Sequence, residues 1–172
     1  MIDVLVRTAK QEDFKTIYCL VQEAFLSAAH SDGQEQELVK RIWESSDYLS
    51  DLSLVAEING EIVGYLLLSK VKIATAVALA LDPLAVRPDV QKMGVGTRLI
   101  TVAHQRARQA GYQAILVLGD DRYYSAFGYQ SAIEKGIVPP FDVPAPYFMI
   151  YELTTEPATL QGVVQYPPEF GI

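Results

Sequence analysis

Apolar positions in the N-terminal part of the chain recur at the three- and four-residue spacing of a helix. Phe14, Ile17, Tyr18, Val21, Ala24 and Phe25 share one face, which reads as core packing. Leu5 to Thr8 is predicted as a short strand before it. Thr8 is expected to cap the helix, with Gln11 three residues on as its capping-box partner. Cys19 projects from near the opposite face. A polar break from His30 to Gln34, containing Gly33, precedes a second predicted helix from Glu35 to Ser45. Its apolar positions are Leu38, Val39, Ile42 and Trp43, and Trp43 reads as a core residue.

The pattern then changes to that of strands. Leu54 to Ile58 and Glu61 to Ser69 flank Asn59-Gly60, which accepts positive φ at both centres of a type I′ turn. Val71 to Val86 is expected to continue the sheet. Val77 to Leu81 hardly alternates, as in a strand covered on both faces, and Pro83 predicts a bulge or splay. A third helix spans Val95 to Ala110 and stops at Gly111, followed by a buried strand from Ala114 to Leu118. Gly119-Asp120-Asp121 supplies a turn and a cap, and a short helix carries Arg122 to Phe127 up to Gly128. Prolines 139, 140, 144 and 146 make the next connection irregular, and Tyr147 to Leu153 reads as a last long strand. This order predicts an α/β single domain over residues 1–153 with a mixed central sheet flanked by helices. The tail, residues 154–172, holds three prolines and is expected to wrap the surface or to be partly disordered.

Composition narrows the function. The chain has 172 residues, half of them apolar, enough for a sizeable core. It shows no apolar run of membrane-span length and no signal-peptide start. A net charge of −7 argues against nucleic-acid binding and is compatible with a cationic substrate such as an amine, although taken alone it reads first as ordinary acidic solubility. Cys19 is the only cysteine, and His30 and His104 share no motif, so no metal site is expected. These features fit a cytoplasmic protein with no membrane partner.

The chemistry gathers at Leu84-Ala85-Val86-Arg87-Pro88-Asp89-Val90-Gln91-Lys92-Met93-Gly94-Val95-Gly96-Thr97-Arg98-Leu99. A strand breaks at Pro88, a polar turn follows, and two glycines open a helix. Backbone N–H groups left without intrahelical partners, together with the positive end of the helix dipole, bind phosphate. Gly94 and Gly96 let the main chain approach a ligand closely. A dinucleotide fingerprint needs a third glycine where Leu99 stands, and a nucleotide P-loop needs Gly-Lys-Ser/Thr where the chain has Gly96-Thr97-Arg98. Gln-x-x-Gly-x-Gly after Leu-Ala-Val and a Pro-containing turn instead resembles the acyl-CoA-binding motif of the GNAT N-acetyltransferases. Downstream, Tyr123-Tyr124-Ser125-Ala126-Phe127-Gly128-Tyr129 resembles that family's Tyr four residues before a Gly-aromatic pair. The two together look most like a subgroup of small bacterial predicted N-acetyltransferases, and the resemblance spans about Thr8 to Leu153.

The resemblance implies a single-domain GNAT fold, splayed near the acyl-CoA site, with acetyl-CoA as co-substrate and no metal. It implies that backbone groups of Leu84, Ala85 and Val86 pair with the pantetheine arm. N–H groups from Gln91, Lys92, Met93, Gly94, Val95, Gly96 and Thr97 would hold the pyrophosphate, and Tyr124 would protonate the departing thiolate. Packing under Tyr129 is the alternative role for Tyr124. The region between the first two strands would help form the acceptor pocket. The acceptor would be a small-molecule or peptide amine, and the family allows a homodimer. Where some relatives carry a glutamate base, this chain has Ala80, while Asp82 stands two residues on and makes a cationic amine a candidate acceptor. The function implied is an acetyl-CoA-dependent N-acetyltransferase acting by direct attack on the thioester. The alternative is a CoA-binding regulatory or interaction module with little or no turnover.

Overall fold

A computed structural model of the chain describes residues 2–26, 28, 31–155 and 160–172; His30 lies outside the described residues. The chain divides into two compact units, Met1–Leu68 with Asp82–Arg106, and Ser69–Leu81 with Ala107–Ile172. The described strands belong to a nine-stranded mixed sheet flanked by helices.

In the first unit, β1 (Leu5–Thr8) runs antiparallel to β2 (Ser53–Ile58). β2 runs antiparallel to the first part of β3 (Glu61–Ile73). Asn59 and Gly60 carry φ of 52° and 78°, the left-handed pair that a type I′ turn demands. Between β1 and β2 lie α1 (Phe14–Phe25) and α2 (Glu35–Trp43), packed on each other. Ile17, Leu20 and Val21 of α1 are buried and Cys19 is exposed, as its place off the apolar stripe requires.

Thr8 does not cap this helix. It ends β1, and the chain turns first through a 3-10 segment, Gln11–Asp13. There the Lys10 N–H donates to Asp13 Oδ2 at 2.8 Å, and Arg7 Nη1 reaches the same oxygen at 2.7 Å. The ion pair with Arg7 fixes Asp13 as the acceptor and holds its carboxyl below the usual range.

β3 runs to Ile73, and β4 (Ala76–Val86) follows a turn at Ala74, whose φ is 55°. The stretch read as one continuation of the sheet is therefore two strands. A left-handed alanine gives no turn signal of its own, because glycine or asparagine usually fills such a place. The Asp82–Pro83 peptide bond is cis.

In the second unit the start of β4 runs parallel to β5 (Ala114–Leu118). The two strands are joined by way of α3 (Val95–Gln109), the crossover that a parallel pair requires. β8 (Phe148–Glu152) and β6 (Gln130–Ser131) follow antiparallel beyond β5. Of the run Val77 to Leu81 expected to be covered on both faces, Ala78 to Leu81 are buried but Val77, near the start of β4, is exposed. The segment after β8 contributes β9 (Gly162–Gln165), which pairs with Lys72 and Ile73 of β3 and with β7 (Ile137–Val138). Val164 is buried there with Val71, Ile73 and Phe148.

Candidate functional site

The turn between β4 and α3 lies wholly in the first unit. Arg87 N–H donates to the Val63 carbonyl at 2.8 Å, which holds the end of β4 beside β3. Val63 sits at a register irregularity, where Ala56 pairs with Gly64 but Glu57 with Ile62. Gln91 Nε2 donates to the Val86 carbonyl at 3.2 Å and closes the turn. Arg87 is tied to Asp89 at 2.6 Å, so its charge steadies the turn.

Lys92 and Gly94 both have left-handed backbones, with φ of 65° and 88°. Left-handed residues interleaved in such a turn bring successive N–H groups to one side, a concavity that suits anions. Arg98 N–H donates to the Gly94 carbonyl at 3.1 Å, the first bond of α3. The N–H groups of Val95, Gly96 and Thr97 therefore have no intrahelical acceptor. No protein atom lies within 4 Å of where a Gly94 Cβ would stand. The residues expected to hold a pyrophosphate thus come together, and the open N–H groups at the head of a fifteen-residue helix fit an anionic ligand.

What sets this helix in place is a glycine that the motif does not contain. A Cβ on Gly64 would come within 2.8 Å of Val95 Cγ1 and 2.9 Å of Leu99 Cδ1. The first turns of α3 therefore rest directly on the β3 backbone. Gly64→Ala is expected to destabilise the fold by about 1–3 kcal/mol and to weaken binding of an anionic ligand at the head of α3, because the helix start must lift. Urea melts and calorimetric titration check both effects. The signal was an isolated glycine in an apolar strand, which marks close approach.

β4 alternates near its end. Pro83 and Ala85 are buried, while Asp82, Leu84 and Val86 are partly open. Burial, then the negative charges of Glu35 and Asp32, push the Asp82 carboxyl up to about 7. Ala80 is buried in the second unit.

Between β1 and β2, Trp43 packs edge-on to Phe14 (centroids 5.1 Å apart) and stacks on Tyr48 at 4.7 Å. Its indole N–H donates to the Tyr65 hydroxyl at 2.9 Å, and that hydroxyl lies 2.8 Å from Ser53 Oγ. Trp43 is thus a packing residue with a satisfied polar end.

Tyr124 belongs to the second unit. α4 (Asp121–Ser125) starts where Asp120 Oδ1 accepts the Arg122 N–H at 2.9 Å. Tyr124 is buried, and a Cβ on Gly119 would come within 2.6 Å of Tyr124 Cε2. The ring therefore occupies room that only glycine leaves. Tyr123 and Tyr129 meet it edge-on, with centroids 5.0 and 5.5 Å away. Among the described residues no group of three or more His, Cys, Asp or Glu is placed to hold a metal ion.

A model of the acetyltransferase (GNAT) family matches residues 14–129 of the chain. The chain is 34% identical over 148 residues to YjhQ, an uncharacterised N-acetyltransferase of Escherichia coli, covering 80% of this chain and 82% of that one. Its fold is similar to that of the GNAT family N-acetyltransferase YhbS from Escherichia coli, solved in complex with CoA. The TM-score is 0.89 at 24% identity, over 100% of this chain and 94% of the other. A GNAT family acetyltransferase from Brucella melitensis, solved with acetyl-CoA, superposes with a TM-score of 0.82 at 28% identity over 99% of both chains.

Proposed function

Since the chain belongs to the GNAT acetyltransferase family, we propose that it moves an acetyl group from acetyl-CoA to an amine by direct attack on the thioester. The observation that carries this reading is the turn from β4 into α3, with its left-handed Lys92 and Gly94 and the open N–H groups of Val95, Gly96 and Thr97. The CoA and acetyl-CoA found in two similar structures support the choice of ligand.

Acetyl-CoA supplies an activated acyl thioester. Backbone groups of Leu84, Ala85 and Val86 hold the pantetheine arm as an added strand, and those of Gln91 through Thr97 hold the pyrophosphate. An N–H near Val86 donates to the oxygen that gains charge during attack. Tyr124 gives its proton to the departing thiolate. No step calls for a metal. No described helix is long and apolar enough to cross a membrane, and we place the reaction in the cytoplasm.

The test measures CoA release with a panel of polyamines, aminoglycosides, amino acids and peptide N-termini, alongside calorimetric titration of acetyl-CoA. Turnover on at least one amine is expected. Tight acetyl-CoA binding with no turnover on any of them would instead make the chain a CoA-binding module. Gly94→Ala probes the phosphate cradle directly. The added methyl meets no protein atom but forces a left-handed alanine, at a cost of about 1–2 kcal/mol. The expected result is a folded protein whose acetyl-CoA affinity drops about tenfold, equivalent to about 1.4 kcal/mol. Unchanged affinity would remove the cradle from the binding site.

A further inference from the structure

Tyr124 sits on a helix too short to aim it. α4 has five residues, and a helix of that length holds no fixed shape without packing against something else. The packing comes from the residues that follow. The Tyr124 carbonyl accepts the Phe127 N–H at 3.0 Å and the Tyr129 N–H at 3.3 Å, so the chain turns back beneath it. The Tyr129 ring then meets the Tyr124 ring edge-on, with planes at 68°. Tyr129 is itself backed by Tyr151 of β8, with ring centroids 5.3 Å apart. Arg108 closes the far end: its Nη2 donates to the Tyr151 hydroxyl at 3.4 Å and its Nε to the Leu153 carbonyl at 3.2 Å. Gly119 leaves room for the first ring and Gly128 for the last, since a Cβ on Gly128 would come within 3.1 Å of Tyr151 Cε1. Tyr124, Tyr129 and Tyr151 thus form one packed column inside the second unit.

The middle ring differs from the first. Tyr129 is 2% exposed, against 9% for Tyr124. Burial, then the neighbouring phenols of Tyr124 and Tyr151, push the Tyr129 phenol well above the usual tyrosine range. A phenol that keeps its proton this firmly is suited to holding a neighbour rather than to giving a proton away. We propose that Tyr129 is a positioning residue for the acetyl transfer and acts through Tyr124, its N–H and its ring, backed by Tyr151, keeping the Tyr124 side chain in one rotamer. The effect on rate rests on the acid role proposed for Tyr124, whereas the hold on the ring does not. Position matters to such a donor because a misplacement of about 1 Å can cost a reaction about a hundredfold.

The test uses the full-length protein and the amine turned over fastest among polyamines, aminoglycosides, amino acids and peptide N-termini. Tyr129→Leu removes the ring and keeps an apolar side chain, while Tyr129→Phe keeps the ring. In folded Tyr129→Leu, kcat is expected to fall about tenfold, with the KM for acetyl-CoA within about twofold of the parent. Tyr129→Phe should restore kcat to within about twofold, because the edge contact returns. In a Tyr124→Phe background, Tyr129→Leu should cost less than about twofold, since no hydroxyl is left to position. Three-bond couplings in protein carrying 13C,15N-tyrosine read the Tyr124 rotamer directly, with its signals assigned by their loss in Tyr124→Phe. They should report one rotamer in the parent and in Tyr129→Phe, and averaging in Tyr129→Leu. If Tyr129→Leu does not fold, Tyr151→Leu withdraws the backing ring instead and should give the same pattern with a loss of about threefold. Rotamer averaging in Tyr129→Leu, in a protein whose Tyr124→Phe variant keeps full turnover, would support the hold and count against Tyr124 as the acid. A single Tyr124 rotamer in Tyr129→Leu overturns the proposal. So does a loss of kcat that is as large in the Tyr124→Phe background as in the parent, the mark of a residue that matters for folding alone.

Discussion

Tyr124→Phe is expected to bind acetyl-CoA nearly as tightly as the parent and to turn over about a hundredfold more slowly or worse. The proposed reaction ends with a thiolate that must be protonated, and Tyr124 is a phenol of α4 able to give a proton at neutral pH. The substitution keeps the ring, and the ring is what the surroundings grip. Gly119 leaves it room, and Tyr123 and Tyr129 close on its edges. Loss of rate in a protein that melts like the parent would therefore belong to the hydroxyl. Tyr123→Phe is the internal control, since Tyr123 is 41% exposed and should cost little. Gly119→Ala is the converse variant: it keeps the hydroxyl but drives a methyl to within 2.6 Å of Cε2, so the ring must move. A large loss of kcat in Gly119→Ala with intact acetyl-CoA affinity would show that the hydroxyl must be held in one place. Full turnover by Tyr124→Phe, measured where chemistry limits the rate, would leave Tyr124 a packing residue under Tyr129.

Elements whose cause is local were legible in the sequence. Asn59-Gly60 specifies its own hairpin because both residues tolerate positive φ, and Gly111 stops α3 with a φ of 87°. Gly94, too, was recognisable from the motif around it. What stayed hidden depends on residues distant in sequence. Thr8 has the spacing of a helix cap, but Arg7 and the Lys10 N–H converge on Asp13 instead. The turn at Ala74 carries no turn residue at its left-handed position. Gly64 matters because Val95 and Leu99, some thirty residues on, come down on it. Asp82 showed as an acid near the motif, but nothing in its neighbourhood of the sequence announces Glu35 and Asp32. Those two add to the burial that raises its pKa.

Burial of the Asp82 carboxyl, together with the negative charges of Glu35 and Asp32, has a consequence for stability that is independent of any acceptor. Its carboxyl titrates near 7 in the folded chain against 3.8 for the free side chain. The folded state therefore holds the proton more tightly than the unfolded state does. The stability linked to this proton is fully present below pH 3.8 and is lost as pH rises through 7, after which the loss is constant. A difference of about three units at 1.36 kcal/mol each sets an upper bound of about 4 kcal/mol. Water reaching the partly open side chain reduces that to about 2 kcal/mol. Asp82→Asn abolishes the titration while keeping the shape, so it is expected to be more stable than the parent at pH 9. The gain should shrink steadily between pH 7 and pH 4. Urea unfolding of both proteins across this range isolates the residue, because every other titrating group is shared by the pair. The like charges contribute part of the effect, so Glu35→Gln should recover a fraction of the gain at pH 9 and add little once Asp82 is already Asn. A constant difference between parent and Asp82→Asn from pH 4 to pH 9 would mean that Asp82 ionises as an ordinary surface carboxylate. The acidic charges around it would then have no hold on its proton.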